Sequence, residues 1–209
     1  MDDPSLLSAL AEYIELTRTD DKAHFQQLGN FVIAYSNAEG MVHVLARKMS
    51  GLTDEKARIL FAGMRLGDVI DRLRQFMRLD KINEETYSEV DSCLTQLAHI
   101  SDLRHKLVHR GAAYFAGSLV VSNSMTSKSP ASGETDIIDV FRLREITDDS
   151  GTIFLRLSLI AQPDKTDATL VAQLKARPWR YTHVPPKPPN QKRRGTPEEP
   201  PPPPDASRK

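Results

Sequence analysis

Two stretches of this chain, residues 24–50 and 84–112, carry apolar side chains at alternating steps of three and four. Only an α-helix turns that spacing into a continuous face. In the first stretch, Leu28, Val32, Tyr35, Val42, Ala46 and Met49 make one stripe, and Phe31, Ala34, Ala38, Met41 and Leu45 make a second beside it. A helix with two such stripes is expected to bury two faces, and Gly51 ends it. The second stretch follows Asn83, a capping residue type, with Glu84 and Glu85 placed to complement the helix dipole. Its buried stripe is Val90, Cys93, Leu94, Leu97, Ile100, Leu107, Val108 and Gly111.

Shorter helical patterns surround these two. Residues 5–17 read as an amphipathic helix with Leu6, Leu10 and Ile14 on one face, and the run TRTDD is expected to separate it from the helix at 24–50. Thr53, Asp54 and Glu55 signal another start, with Ala57, Leu60, Phe61 and Met64 as the apolar face. Residues 68–79 continue with Val69, Ile70, Leu73, Phe76 and Met77. Four to five helices over residues 5–112 make an up-and-down bundle the economical arrangement.

Beyond Gly111 the period changes. Residues 118–125 and 136–143 are rich in β-formers and are separated by SKSPASGE, the pattern of a small hairpin appended to a mainly α fold. At 147–162 both periods fit, and Thr147 followed by Asp148 and Asp149 favours a helix over a strand. Residues 113–180 are therefore expected to pack on the bundle as a β-hairpin and a short helical extension. Residues 181–209, with their proline runs, are expected to be a disordered tail.

A chain of 209 residues is long enough for one domain with a genuine core. Its 28 basic and 28 acidic side chains cancel, which excludes the broad positive surface of a dedicated duplex-DNA binder. The single cysteine, Cys93, forms no intramolecular disulfide, and the N-terminus lacks the basic and apolar regions of a signal peptide. No apolar run approaches the roughly 20 residues of a membrane span. A cytoplasmic location without membrane insertion is expected.

Two charged residues fall where the helical pattern requires apolar ones. Glu39 lies on the Tyr35–Val42 stripe and Arg104 on the Ile100–Leu107 stripe. Burying either alone is costly, so an ion pair between them is the simplest expectation. Arg104 also opens the string RHKLVH, which ends at His109 just before the helix is expected to stop.

That string resembles the signature of the HEPN superfamily, in which an arginine, a polar residue, a few more residues and a histidine lie near the end of a long bundle helix. The matching positions are Arg104, His105 and His109, and the resemblance covers about residues 24–112. It extends to the helix YSNAEGMVHVLAR, which contributes Asn37 and Glu39 as supporting residues. The resemblance implies a HEPN-like helical bundle acting as a homodimer, with a metal-independent endoribonuclease site shared between subunits. Cleavage of single-stranded RNA would proceed by attack of the ribose 2′-hydroxyl on the adjacent phosphate. A histidine suits proton transfer near neutral pH, and an arginine stabilises the charged phosphorane. Lys106 and Arg110 would contact RNA, no cofactor is required, and an antitoxin or regulator protein is a further expected partner, in a toxin or phage-defence setting.

Two other readings compete. In one, the chain is a non-catalytic HEPN-fold protein or RNA-interaction module, with Glu39 and Arg104 structural. In the other, His105 and His109, four residues apart, share a metal ion. Lys106 stands where HExxH metalloproteases have glutamate, and no third ligand is marked, so no metal is assigned. Arg104 and His109 are five residues apart, about 140° around an ideal helix. They would meet only through a loosened last turn or a second subunit.

Overall fold

The computed structural model describes residues 4–115, 118–122, 135–162 and 168–183. In chain order these form α1 (Pro4–Met49), α2 (Asp54–Phe61), α3 (Leu66–Leu79), α4 (Glu84–His109), β1 (Gly111–Phe115), β2 (Ser118–Ser122), β3 (Thr135–Asp139), α5 (Val140–Ala161) and α6 (Ala168–Ala176). The expected break at TRTDD is absent, and α1 is one helix of 46 residues. That run holds neither glycine nor proline, and threonine and aspartate cost only about 0.5 kcal/mol each against alanine in a helix. So small a penalty is readily offset by the packing of the same helix from His24 and Phe31 onward into the core. Pro4 sits at the helix start, where its missing N–H costs nothing.

Both stripes of α1 are used. Phe31, Tyr35, Ala38, Val42, Leu45 and Ala46 are buried, whereas Val32, placed on the first stripe, is 42% exposed. α5 accounts for much of this burial. The Gln27 side chain donates to Thr147 Oγ1 in the first half of α5, and Lys48 donates to the Ala161 carbonyl at its end, so α1 and α5 run parallel. α4 runs antiparallel to both: Gln96 meets Asp149 and Glu89 meets Arg156. The core is one cluster in which Phe31 and Val42 of α1, Leu73 and Met77 of α3, Leu94, Leu97 and Ile100 of α4, and Leu143, Ile153 and Leu157 of α5 are all buried. Among the described residues no helix is long and apolar enough to cross a membrane.

The segment after α4 differs from the expected hairpin in three ways. First, α4 ends at His109 rather than 112, and Gly111–Phe115 form a strand, giving a three-stranded antiparallel sheet of order β1-β2-β3. The register pairs Ala113 with Val120 and Val120 with Ile137. Second, the β-rich run at 136–143 changes state midway: β3 stops at Asp139, whose carboxylate accepts from the Arg142 backbone N–H at 2.7 Å and starts α5. Third, the helix at 147–162 is present but begins seven residues before Thr147. Thr147 is interior, and its hydroxyl donates to the Leu143 carbonyl at 2.6 Å. The helical extension is therefore the 22-residue α5, built into the core rather than a short addition. Residues 123–134, containing the expected hairpin connection, and the proline-rich 184–209 lie outside the described residues. Tyr181, assigned to the tail, is instead buried at 6% exposure.

Candidate functional site

α4 stays regular to its end. The Arg110 backbone N–H donates to the Lys106 carbonyl at 3.0 Å and closes the last turn. The loosened turn that would let Arg104 and His109 meet within one chain is therefore absent, and the two keep their separation of about 140° around the helix.

Arg104 turns toward α1. Its guanidinium carbon stands 5.8 Å from the centroid of the Tyr35 ring, within cation–π range. Tyr35 is 3% exposed, and its hydroxyl donates to Ser101 Oγ on α4 at 3.1 Å. Burial pushes the Tyr35 phenol above its ordinary pKa. The Ser101 bond opposes that, the negative charge of Glu39 adds to it, and Arg104 pulls the other way. The phenol is therefore a neutral donor at physiological pH. The expected ion pair between Glu39 and Arg104 is not formed, since among the described residues no salt bridge joins them. Both residues are only half-buried, so water reaches each charge, and the Tyr35 ring face takes the place of the carboxylate beside Arg104.

His105 and His109 lie on the exposed side of the same closing turns, their ring centroids 4.6 Å apart and tilted by 45°. Among the described residues no third imidazole, carboxylate or thiol joins them in a group able to hold a metal ion. Lys106 and Arg110 converge on Asp136 of β3, at 2.9 and 3.9 Å. The returning sheet thus sets a carboxylate into the basic cluster and lowers its net charge. Asn37 does not join this site. Two residues beyond Tyr35 on α1, it turns about 200° away and lines a groove between α1 and α5 with Asn30, Ile33 and Phe154. Arg74, from the arginine-rich α3, engages Asp91 at 2.7 Å and Thr95 Oγ1 at 3.0 Å on the first half of α4.

No pattern of residue types marks a second polar cluster, at the other side of α4. The buried Asp149 carboxylate accepts from Gln96 Nε2 at 2.9 Å, from the Arg180 backbone N–H at 3.0 Å and from that of Tyr181 at 2.9 Å. It thereby pins residues 177–183 along α4 as a strap. Trp179 Nε1 donates to Ser92 Oγ at 3.1 Å, and the His183 ring stacks on that of His99, centroids 4.5 Å apart and 12° from parallel. Adjacent aspartates at 148 and 149 on a helix give no sign in sequence that one is exposed to a partner side chain and the other buried. Cys93 is fully buried beside Glu89, and its thiol is pushed up to about 12 by burial first and that carboxylate second, so it is inert. Compared with known proteins, no family model, no curated protein and no solved structure matches this chain.

Proposed function

We propose that this protein is a HEPN-like, metal-independent endoribonuclease that acts on single-stranded RNA as a homodimer, with Arg104 and His109 as the residues of catalysis. The observation that supports the reading best is the arrangement of the closing turns of α4. A half-buried guanidinium is held by a tyrosine ring on one side of the helix, and two imidazoles, 4.6 Å apart, stand in water on the other. Arg104 held against Tyr35 loses little side-chain freedom when it meets a phosphate, which favours stabilising the negative charge of a phosphorane. His109 is open to solvent, so its imidazole can take the proton of a 2′-hydroxyl and return one to the leaving oxygen. His105, beside it, orients the ring or holds the neighbouring phosphate.

The regular end of α4 leaves Arg104 and His109 on different sides of one helix, so this mechanism needs each subunit to supply one of the two to a common cleft. The test is incubation of the pure protein with single-stranded RNA in chelator. The wild type yields fragments ending in a 2′,3′-cyclic phosphate, and His109→Ala loses at least about 100-fold in rate, the usual share of a general base. Equal cleavage by His109→Ala, or none by the wild type, contradicts the enzyme reading. The second outcome leaves the non-catalytic RNA-interaction module, which the tyrosine-held arginine also supports.

A further inference from the structure

Between Lys22 and Arg47, α1 carries one formal charge, Glu39, in a chain that is 27% charged. On the side turned from the core, Phe25 is 60% exposed, Ile33 63%, Val32 42% and Val44 38%, and Gly29, Ser36 and Gly40 are exposed among them. Single apolar side chains at a surface mean little, but a contiguous uncharged stripe is what a bound protein covers. The second half of α5 continues it. Gly151 and Phe154 line a groove with Asn30 and Ile33, Leu155 is 44% exposed, and the one charge between Ser150 and Ala161, Arg156, is buried. The two glycines of α1 are out of place in a helix interior, since glycine is the poorest helix former after proline. Neither has a positive φ, and a methyl group added at either would meet nothing within 4 Å among the described residues. Nothing in the described fold needs their missing side chains, whereas a second backbone approaching closely would.

The spacing points to the occupant. Phe25, Gly29, Ile33, Ser36, Gly40 and Val44 follow at steps of four, four, three, four and four. At about 100° per residue they fall within a stripe about 100° wide, and the series of steps reads the same in both directions from a midpoint between Ala34 and Tyr35. A two-fold interface requires that symmetry, because residue i of one copy meets j of the other and j meets i. With two α1 helices antiparallel, Phe25 meets Val44, Gly29 meets Gly40 and the large Ile33 meets the small Ser36. An uncharged face does not repel its own copy, and it offers a nucleic-acid phosphate no cation. The stripe is about 30 Å long and, with α5 beside it, has a footprint on the order of 500 Å² before side-chain relief is counted, against the roughly 800 Å² that each partner contributes to a stable interface. We propose that this face of α1, flanked by α5, is where a second copy of the chain docks, its α1 antiparallel to the first. The proposal rests on the homodimer of the functional reading and gives it a surface. Tyr35 lies at the level of the midpoint, and a two-fold axis there leaves both Tyr35–Arg104 pairs on the same side of the dimer.

The experiment weighs the pure full chain by light scattering at micromolar concentration. The wild type is expected at twice the 23.4 kDa of one chain. Gly40→Leu puts a branched side chain at the closest approach, so single-chain mass is expected, with helix content by circular dichroism unchanged because leucine is the better helix former. Ile33→Ser and Ser36→Ile each weaken the dimer at least about tenfold, one by removing the large partner and the other by crowding two. Combined, they restore it, since the pair is then exchanged rather than lost. A wild type of single-chain mass overturns the proposal. A dimer that Gly40→Leu leaves intact overturns it too, placing the second copy on another face while the functional reading stands. A dimer that Gly40→Leu breaks but that cleaves no RNA upholds this surface, and the cleavage reading alone falls.

Discussion

Tyr35 is where the candidate site touches the core. Its ring lies in the core cluster while its hydroxyl reaches Ser101 and its face carries Arg104. Tyr35→Phe keeps the ring and removes the hydroxyl, so it is expected to lower stability by about 1 kcal/mol, the net value of one hydrogen bond, in urea unfolding. The proposed cleavage is expected to be retained, because the cation–π contact with Arg104 survives. A variant that keeps full stability but loses cleavage would mean that the hydroxyl itself acts on RNA. Asp149 sits at the opposite extreme of burial, with three donors converging on one carboxylate. Asp149→Ala strands two backbone N–H groups and one of the two Gln96 amide hydrogens, the other still donating to the Tyr181 carbonyl at 2.8 Å, a loss of about 3 kcal/mol for a charged, multiply bonded acceptor. The same change frees the strap, so the emission of Trp179, the single tryptophan, shifts to the red as the indole leaves Ser92. An unchanged spectrum would show that the strap is held without Asp149.

At the scale of elements, the strap adds a dependence on pH. His99 titrates below the ordinary histidine range, first because of burial and second because His183 stacks on it, with Asp102 opposing. A lowered pKa means that the folded state binds fewer protons than the unfolded one. The stack's contribution is therefore complete above about pH 6.5 and is lost as pH falls through the lowered value. Amide exchange at residues 179–183 should accelerate between pH 7 and pH 5 relative to that of the core, and His99→Gln should flatten the difference. Exchange that ignores pH in the wild type would contradict this. The long helices were legible in the sequence because their apolar spacing and the Asn83 cap carry the information locally, and Asn83 does accept from the Thr86 backbone N–H at 2.8 Å. The α5 start was not. Residues 140–143 have strand-like composition, and only the Asp139 cap and burial of Leu143 and Ile146 against the other helices make them helical. Strand β1 was hidden likewise, since GAAYF pairs only because β2 lies beside it.

In the whole molecule, the direction of the helices decides which ends meet. α4 runs against α1 and α5, so its closing turns arrive beside the first part of the core-packed α1 and the sheet, bringing Arg104 to Tyr35 and Lys106 to Asp136. The residue types of the site could be read from RHKLVH, but not their partners. Glu39 was the charge that one-dimensional spacing put nearest to Arg104, whereas three-dimensional packing put a ring there. Nor could the sequence decide whether one chain suffices, because that rests on how the last turn of α4 closes. In the proposed mechanism Arg104 of one subunit and His109 of another act on one phosphodiester, and mixing inactive chains tests it. Arg104→Ala and His109→Ala, each inactive alone, are unfolded together, refolded and assayed on single-stranded RNA. Half of the dimers are then mixed and each holds one whole site of two, so about a quarter of wild-type activity returns. A mixture as inactive as its components, with mixed dimers present, would contradict the claim.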